Sequence, residues 1–203
     1  MKHLELPLVE AGEGAPAGVR MARGQTLLQA GTLGAVWRVR AGAFRLDRPA
    51  REGQTVVHMA LPGDLVGVEA LCAAPYALTV TALCDSVVAP ELLVGEASLL
   101  ATLSAVLLQQ QRQSLDMARM RSGTVPMRLG HLLQLLARAA GGTTGDLARK
   151  ALPSLKDMAQ LIDATHETVC RELNRLLPAR PRQRPLTAPG TWAGVAPAFA
   201  LAC

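Results

Sequence analysis

"MAQLIDATHETVCREL", residues 158–173, holds two short helical patterns around a break at Asp163 to Thr165, and the second pattern carries both an acidic and a guanidinium side chain. Ser154 stands where an N-cap is wanted, and Asp157 three residues on can complete a capping box, so a helix starts there. Leu155, Met158, Ala159 and Ile162 form its apolar stripe, with the small Ala159 allowing a second helix to cross closely. Asp163 falls in the turn, where left-handed backbone is often needed and Asp tolerates it better than most residues. Thr165 is the expected N-cap of the next helix, with Val169, Leu173 and Leu176 pointing inward and His166, Glu167, Arg171, Asn174 and Arg175 outward. This is the layout of a helix-turn-helix, whose second helix enters the major groove of DNA. A plain helical hairpin with a solvated Glu/Arg pair has the same spacing, so periodicity alone leaves both readings open.

The chemistry of the outward face suits base reading. Arg171 can donate two bonds to the O6 and N7 of a guanine, and Glu167 can accept from a cytosine amino group or hold Arg171 in place. Thr165, Thr168, Asn174, Arg175 and the cluster Arg180, Arg182, Arg184 are candidates for phosphate and flanking contacts, which give affinity without sequence information. Between His166 and Arg184 five Arg stand against two Glu, so the formal charge of +5 is concentrated beside the hairpin. Aromatic residues are only 2% of the chain, which leaves few stacking platforms for single strands and favours a duplex as the nucleic-acid partner.

Upstream, Leu99, Leu103, Val106, Gln110, Gln113, Met117 and Met120 recur at alternating steps of four and three, the heptad seam of a helix roughly 23 residues or about 35 Å long. The polar lower half of that seam favours a dimer interface over a core helix. "SGTVP" at 122–126 breaks this helix and marks a hinge or boundary. Leu129, Leu132, Leu133, Leu136 and Ala137 then define a second amphipathic helix that stops at Gly141-Gly142. The first ninety residues read differently. Glycines at 24, 31, 34, 42, 53, 63 and 67 punctuate short runs of β-formers, "VWRV", "AFRL", "TVVHMAL", "ALTVTAL" and "SVVA", as in an antiparallel barrel or roll. "REGQ" at 51–54 and Pro62-Gly63-Asp64 are its expected turns.

The chain of 203 residues, half of them hydrophobic and 18% charged, can bury a sizeable core. No apolar run approaches the ~20 residues needed to span a bilayer, and "MKHLELPLVEAGEGA" does not read as a secretory signal, so a cytoplasmic protein without membrane contact is expected. Cys72, Cys84, Cys170 and Cys203 form no C-x-x-C pair, which argues for reduced thiols and against a metal site. No Ser-His-Asp set or phosphate loop stands out, and His3, His58, His131 and His166 lack obvious catalytic partners, so an enzyme is not expected.

These pieces resemble the Crp/Fnr superfamily of bacterial regulators. "ETVCR" at 167–171 matches its E-T-V-x-R signature, "VRMARGQTLLQAGTLGAVWRVRAGAFRLDR" is similar to its β-roll opening, and "ALPGDLVGVEAL" to its P-G-D-x-x-G segment; with the long helix and "VPMRLGHLLQLLA", the likeness spans about residues 19–177. The resemblance implies an α+β protein: an antiparallel, cyclic-nucleotide-binding-like β roll (1–97), a dimerisation helix (98–121) and a C-terminal winged helix-turn-helix (122–203). It implies a homodimeric transcriptional regulator that reads an inverted-repeat operator in double-stranded DNA and works with RNA polymerase. His166, Glu167 and Arg171 take the base-reading positions, His166 standing where cyclic AMP receptor proteins have Arg. A ligand-sensing dimer that acts on a protein partner is the alternative.

For an effector, the family's pocket falls on Gly67, Glu69, Cys72, Tyr76 and Thr79. No Arg lies between Gly67 and Leu83 to pair with a cyclic phosphate, so cyclic AMP is not expected. Haem held by His58 with Cys72 or Cys84, and a Cys72/Cys84 redox switch, are minor alternatives, and the cysteine cluster of the iron-sulfur sensors is absent. Downstream of Leu177, prolines at 178, 181, 185, 189 and 197 sit poorly with the two strands of a wing; at best 184–187 and 191–195 form a short hairpin.

Overall fold

The computed structural model describes residues 18–51, 53–92, 96–144, 147 and 151–177. Eight strands come first: β1 Val19–Met21, β2 Thr26–Leu28, β3 Trp37–Ala41, β4 Phe44–Pro49, β5 Gln54–Ala60, β6 Leu65–Val66, β7 Thr79–Ala82 and β8 Ser86–Pro90. Four helices follow: α1 Glu96–Arg121, α2 Val125–Ala139, α3 Leu155–Leu161 and α4 His166–Leu176. The strands form two four-stranded antiparallel sheets, ordered β1-β8-β3-β6 and β2-β7-β4-β5. Alternating positions on both sheets, Trp37 and Val39, Phe44 and Leu46, Val80 and Ala82, meet in the roll interior. The turn at 50–53 closes through Ala50 N–H to the Gly53 carbonyl at 3.0 Å, with Gly53 at φ 87° as the sequence requires.

The P-G-D turn has a structural task that its sequence does not announce. Asp64 is buried, and its carboxylate accepts from Leu61 N at 2.9 Å, from Gln113 Nε2 at 3.2 Å and from Arg112. One turn earlier on α1, Gln109 copies a strand partner: its Oε1 accepts from Leu65 N and its Nε2 donates to the Leu65 carbonyl, both at 2.8 Å. Arg121 at the helix end donates to the Val56 carbonyl at 2.5 Å. Polar side chains therefore fasten α1 to the roll along most of its lower half, and the buried Asp64 and Gln113 are matched to each other rather than left without partners.

The expected dimer seam divides between the chain's own core and its surface. Val106 packs with Val36 and Leu65, Gln113 bonds Asp64, and Met117 and Met120 sit in the main core, so these four are buried within the chain itself. Leu99 and Leu103 are partly exposed and Gln110 is exposed. The apolar side chains that α1 leaves most open are Leu100, Leu107, Leu108 and Leu115, each at least 55% exposed. Leu100 and Leu107, and Leu108 and Leu115, recur at heptad spacing on a different face. A long helix that must bury one stripe in its own core can keep a second for another surface, and the heptad spacing joins four residues of the inner stripe to Leu99, Leu103 and Gln110 outside it.

"SGTVP" ends α1 as expected: Gly123 takes φ 84°, and Pro126 sits in the first turn of α2, where its missing N–H costs nothing. The break in the chain is not a break in packing. Ala43, Val56, Met59 and Leu83 of the roll share one core with Met117 and Met120 of α1, the leucines of α2, Leu161 and Ile162 at the end of α3, and Val169 and Leu173 of α4. The tail after Leu177, including Arg180, Arg182, Arg184 and the wing expected there, lies outside the described residues.

Candidate nucleic-acid interface

Local chemistry builds α3, its turn and α4 as the residue types demand. Ser154 Oγ accepts from Asp157 N at 3.1 Å and donates to Asp157 Oδ2 at 2.6 Å, an N-cap in which the Asp157 carboxylate meets the Ser154 hydroxyl in place of the backbone N–H of the expected capping box. Thr165 Oγ1 accepts from Thr168 N at 3.3 Å and lies 2.9 Å from Thr168 Oγ1, so both hydroxyls are engaged in starting α4. Asp163 is left-handed, φ 50°, as its place in the turn requires. Arg128 of α2 donates through Nη1 to the carbonyls of Ile162 at 2.6 Å and Asp163 at 2.9 Å. That places a cation at the C-terminal end of α3, where free carbonyls and the helix dipole both favour it.

The two faces of α4 then separate cleanly. Val169 and Leu173 are buried against α2 and α3, while His166, Glu167, Arg171, Asn174 and Arg175 are exposed. Leu176, expected inward, is 39% exposed; Leu177, where the helix ends, packs against the core instead. Arg175 pairs with Glu172 at 3.6 Å, a weak surface contact one turn apart. Among the described residues Arg171 makes no hydrogen bond or ion pair. Glu167 has its carboxyl held below the ordinary carboxylate range, first by a backbone hydrogen bond, then by the Thr165 hydroxyl and the neighbouring His166. It is a charged acceptor at neutral pH.

A feature with no local signature links this hairpin to the roll. Arg45 on β4 grips Asp47 through Nε and Nη2, each at 2.8 Å, and its Nη1 donates to Asp157 at 2.7 Å and Gln160 at 2.6 Å on α3. Burial opposes the Arg45 charge, but the bonds to Asp47 and Asp157 outweigh it and hold the guanidinium firmly protonated. More than a hundred residues separate Arg45 from its partners on α3, so no sequence window could contain them.

The roll interior is closely filled. Its cavity beside α1 measures about 70 Å³ and is lined by Gly67, Glu69, His58, Val80, Gln109 and Gln113 among others. Tyr76 packs beside Gly34 and Gly67 without lining this cavity. Its ring lies where a Cβ on Gly67 would come within 2.7 Å of it and one on Gly34 within 2.2 Å of its hydroxyl, and that hydroxyl donates to the Ala35 carbonyl at 2.7 Å. Of the expected effector residues, Gly67 and Glu69 reach the cavity. Thr79 instead accepts from Ala30 N at 3.2 Å, Tyr76 is buried against Gly34 and Gly67 away from the cavity lining, and Cys72 is exposed. Glu69 Oε1 is taken by Ala77 N at 3.0 Å. His58 faces the cavity, but neither Cys72 nor Cys84 lines it, so the haem set is not brought together. Burial pushes the Cys84 thiol up, with the Ser86 hydroxyl opposing, which makes it a poor thiolate for redox chemistry.

Residues 19–90 match the family model described as cyclic nucleotide-binding domain. Over most of the chain the likeness to solved structures is to CRP-family regulators. A CRP-family transcriptional regulator from Thermus thermophilus aligns with a TM-score of 0.62 at 24% identity, covering 78% of this chain and 83% of its own. The chain has the Crp/Fnr fold. A second Thermus thermophilus regulator, of the CRP/FNR family, gives 0.59 at 22% identity, with coverage of 79% and 85%. FixK2 from Bradyrhizobium japonicum gives 0.60 at 20% identity, with coverage of 80% and 84%. No curated protein matches. The two Thermus structures with the Crp/Fnr fold are regulators rather than enzymes. No helix among the described residues is long and apolar enough to cross a membrane, and none of these residues form a group of three or more metal-ligating side chains.

The Crp/Fnr roll implies a cyclic nucleotide, and the residues here do not fit one. Small-molecule pockets run to about 300 Å³ or more, against about 70 Å³ in this roll. A cyclic phosphate would need a cationic partner, and no Lys or Arg lines the cavity.

Proposed function

We propose that this protein is a homodimeric, sequence-specific DNA-binding transcriptional regulator that reads an inverted-repeat operator and needs no cyclic nucleotide to do so. The observation that carries the reading is the outer face of α4, where an ionised Glu167 and an Arg171 without a partner among the described residues stand exposed one turn apart on a capped, well-anchored helix. His166 joins them as the third base-reading side chain. Thr165, Thr168, Asn174 and Arg175, with Arg180, Arg182 and Arg184 beyond the described residues, supply backbone contacts to the flanking phosphates.

Homodimerisation is assigned to the open face of α1, Leu100, Leu107, Leu108 and Leu115 with Leu103 beside them, because an apolar heptad face of this length is what a second copy of the same helix covers. Two-fold symmetry then sets two reading helices on one operator. RNA polymerase as a further partner, and action in the cytoplasm, follow from the same reading. Independence of cyclic AMP rests on the filled roll.

The test uses duplexes selected by the wild-type protein from random sequence. Arg171→Ala should lose about 1–3 kcal/mol of discrimination per copy at one position in each half-site, while binding to unrelated duplex is unchanged. Equal weakening on every sequence would assign Arg171 to phosphate and remove the base-reading claim.

A further inference from the structure

We infer that Arg45 is a positioning residue for DNA reading: from the β roll it fixes the orientation of α3, and with it the spacing between the two reading helices of a dimer. The inference rests on the DNA-binding reading above and adds to it how half-site spacing is set. Three observations lead there. First, the covalent link from α1 to α2 turns at 122–124 through a glycine in the left-handed region, and Thr124 adds no side-chain cap to fix it. Second, α1 is tied rigidly to the roll through Asp64, Gln109 and Gln113, so the roll moves with the open leucine face. Third, Arg45 joins that roll to α3 with two hydrogen bonds to Asp47 on β4 and two to α3, its side chain is only 11% exposed, and its anchor Asp47 is buried.

The geometry of the tie is directional. The fork on Asp47 fixes the plane of the guanidinium relative to β4, leaving Nη1 aimed at one place on α3. There it meets Asp157 and Gln160, three residues apart and therefore on one face of the helix. Asp157 also closes the cap with Ser154, so its carboxylate cannot follow a shifted Arg45 without loosening the start of α3. Apolar packing in the shared core holds α3 near the roll but is non-directional. Arg128 of α2 holds the C-terminal end of α3 through the Ile162 and Asp163 carbonyls, and the Arg45 bonds are the ones that set its angle to the roll.

The experiment breaks the tie from the helix side, with Asp157→Asn/Gln160→Ala, so that the buried Arg45–Asp47 pair survives. Duplexes selected by the wild type are rebuilt with the half-sites moved closer or farther by about two base pairs, and a third probe carries one half-site only. The wild type should prefer its own spacing by about tenfold or more, because simultaneous engagement fails when the geometry does not match. The variant should lose most of that preference while its affinity for the single half-site is unchanged, and Asp157→Glu should restore it. In the absence of DNA, amide exchange in α3 should quicken while exchange in the roll does not. A variant that keeps the wild-type spacing preference, or weakens on all three probes alike, overturns the inference and leaves the DNA reading standing. A wild type that selects no inverted repeat overturns both.

Discussion

The roll and the helix-turn-helix of this chain treat their polar chemistry in opposite ways. In the roll, Tyr76 fills the space between Gly34 and Gly67, Glu69 is committed to Ala77 N, and a cavity of about 70 Å³ remains with no cation facing it. On α4 the charged groups are the ones left open: Glu167 is ionised and exposed, and Arg171 has no partner among the described residues. The cavity inside the roll is small and its polar groups are engaged, while the outer face of α4 holds its charged groups in the open. In the reading proposed above, selectivity resides in the helical end, since open polar groups recognise partners and satisfied ones hold shape.

The contrast can be broken at either end. The largest effect is expected from Tyr76→Ala, which empties the closed end: losing a buried aromatic should cost about 3–5 kcal/mol in denaturant unfolding, and cyclic AMP should give no compensating stabilisation, because the new space still lacks a cation. Next comes α1, which faces both ways. Met120→Ala should destabilise by about 2–5 kcal/mol, whereas Leu107→Asp should leave the fold intact and shift sedimentation toward the monomer. If Met120→Ala dissociated a dimer without loss of stability, the inner and outer stripes would have been assigned the wrong way round. Thr165→Ala at the open end removes the cap of α4 and should cost about 1 kcal/mol, seen as faster amide exchange in the first turn of that helix.

The smallest effect concerns His58, whose imidazole is held below its ordinary value of 6.5, first by burial and then by the Arg121 charge. A depressed value means the neutral form is favoured in the native state, so the His58 contribution is complete above pH 6.5 and is lost as pH falls through the lower folded value. Replacing it with Gln should flatten the dependence of Tm on pH below 6.5 and leave the region above it unchanged.

Much of this was legible where the cause is local. The caps at Ser154 and Thr165, the left-handed Asp163 and the glycine turns depend on residues within a few positions of one another, and each was found where its chemistry put it. The outward face of α4 followed from helical spacing for the same reason. The inner stripe of α1 was read as a dimer seam because two heptad faces share one helix, and spacing does not say which is covered by the same chain. The remaining leucines at 100, 107, 108 and 115 were the available clue. Tyr76 against Gly34 and Arg45 against Asp157 were invisible because both pairings depend on how distant segments meet. Their residue types are ordinary; only the fold gives them a role.

Whether the chain reads an inverted repeat while its roll stays closed can be decided by selecting duplexes from random sequence with the wild-type protein in the absence of any nucleotide. An enriched two-fold sequence is expected, its half-site centres about 34 Å apart along the duplex, with enrichment unchanged when cyclic AMP is added. Recovery of no shared sequence, or of one only when the nucleotide is present, would refute this reading.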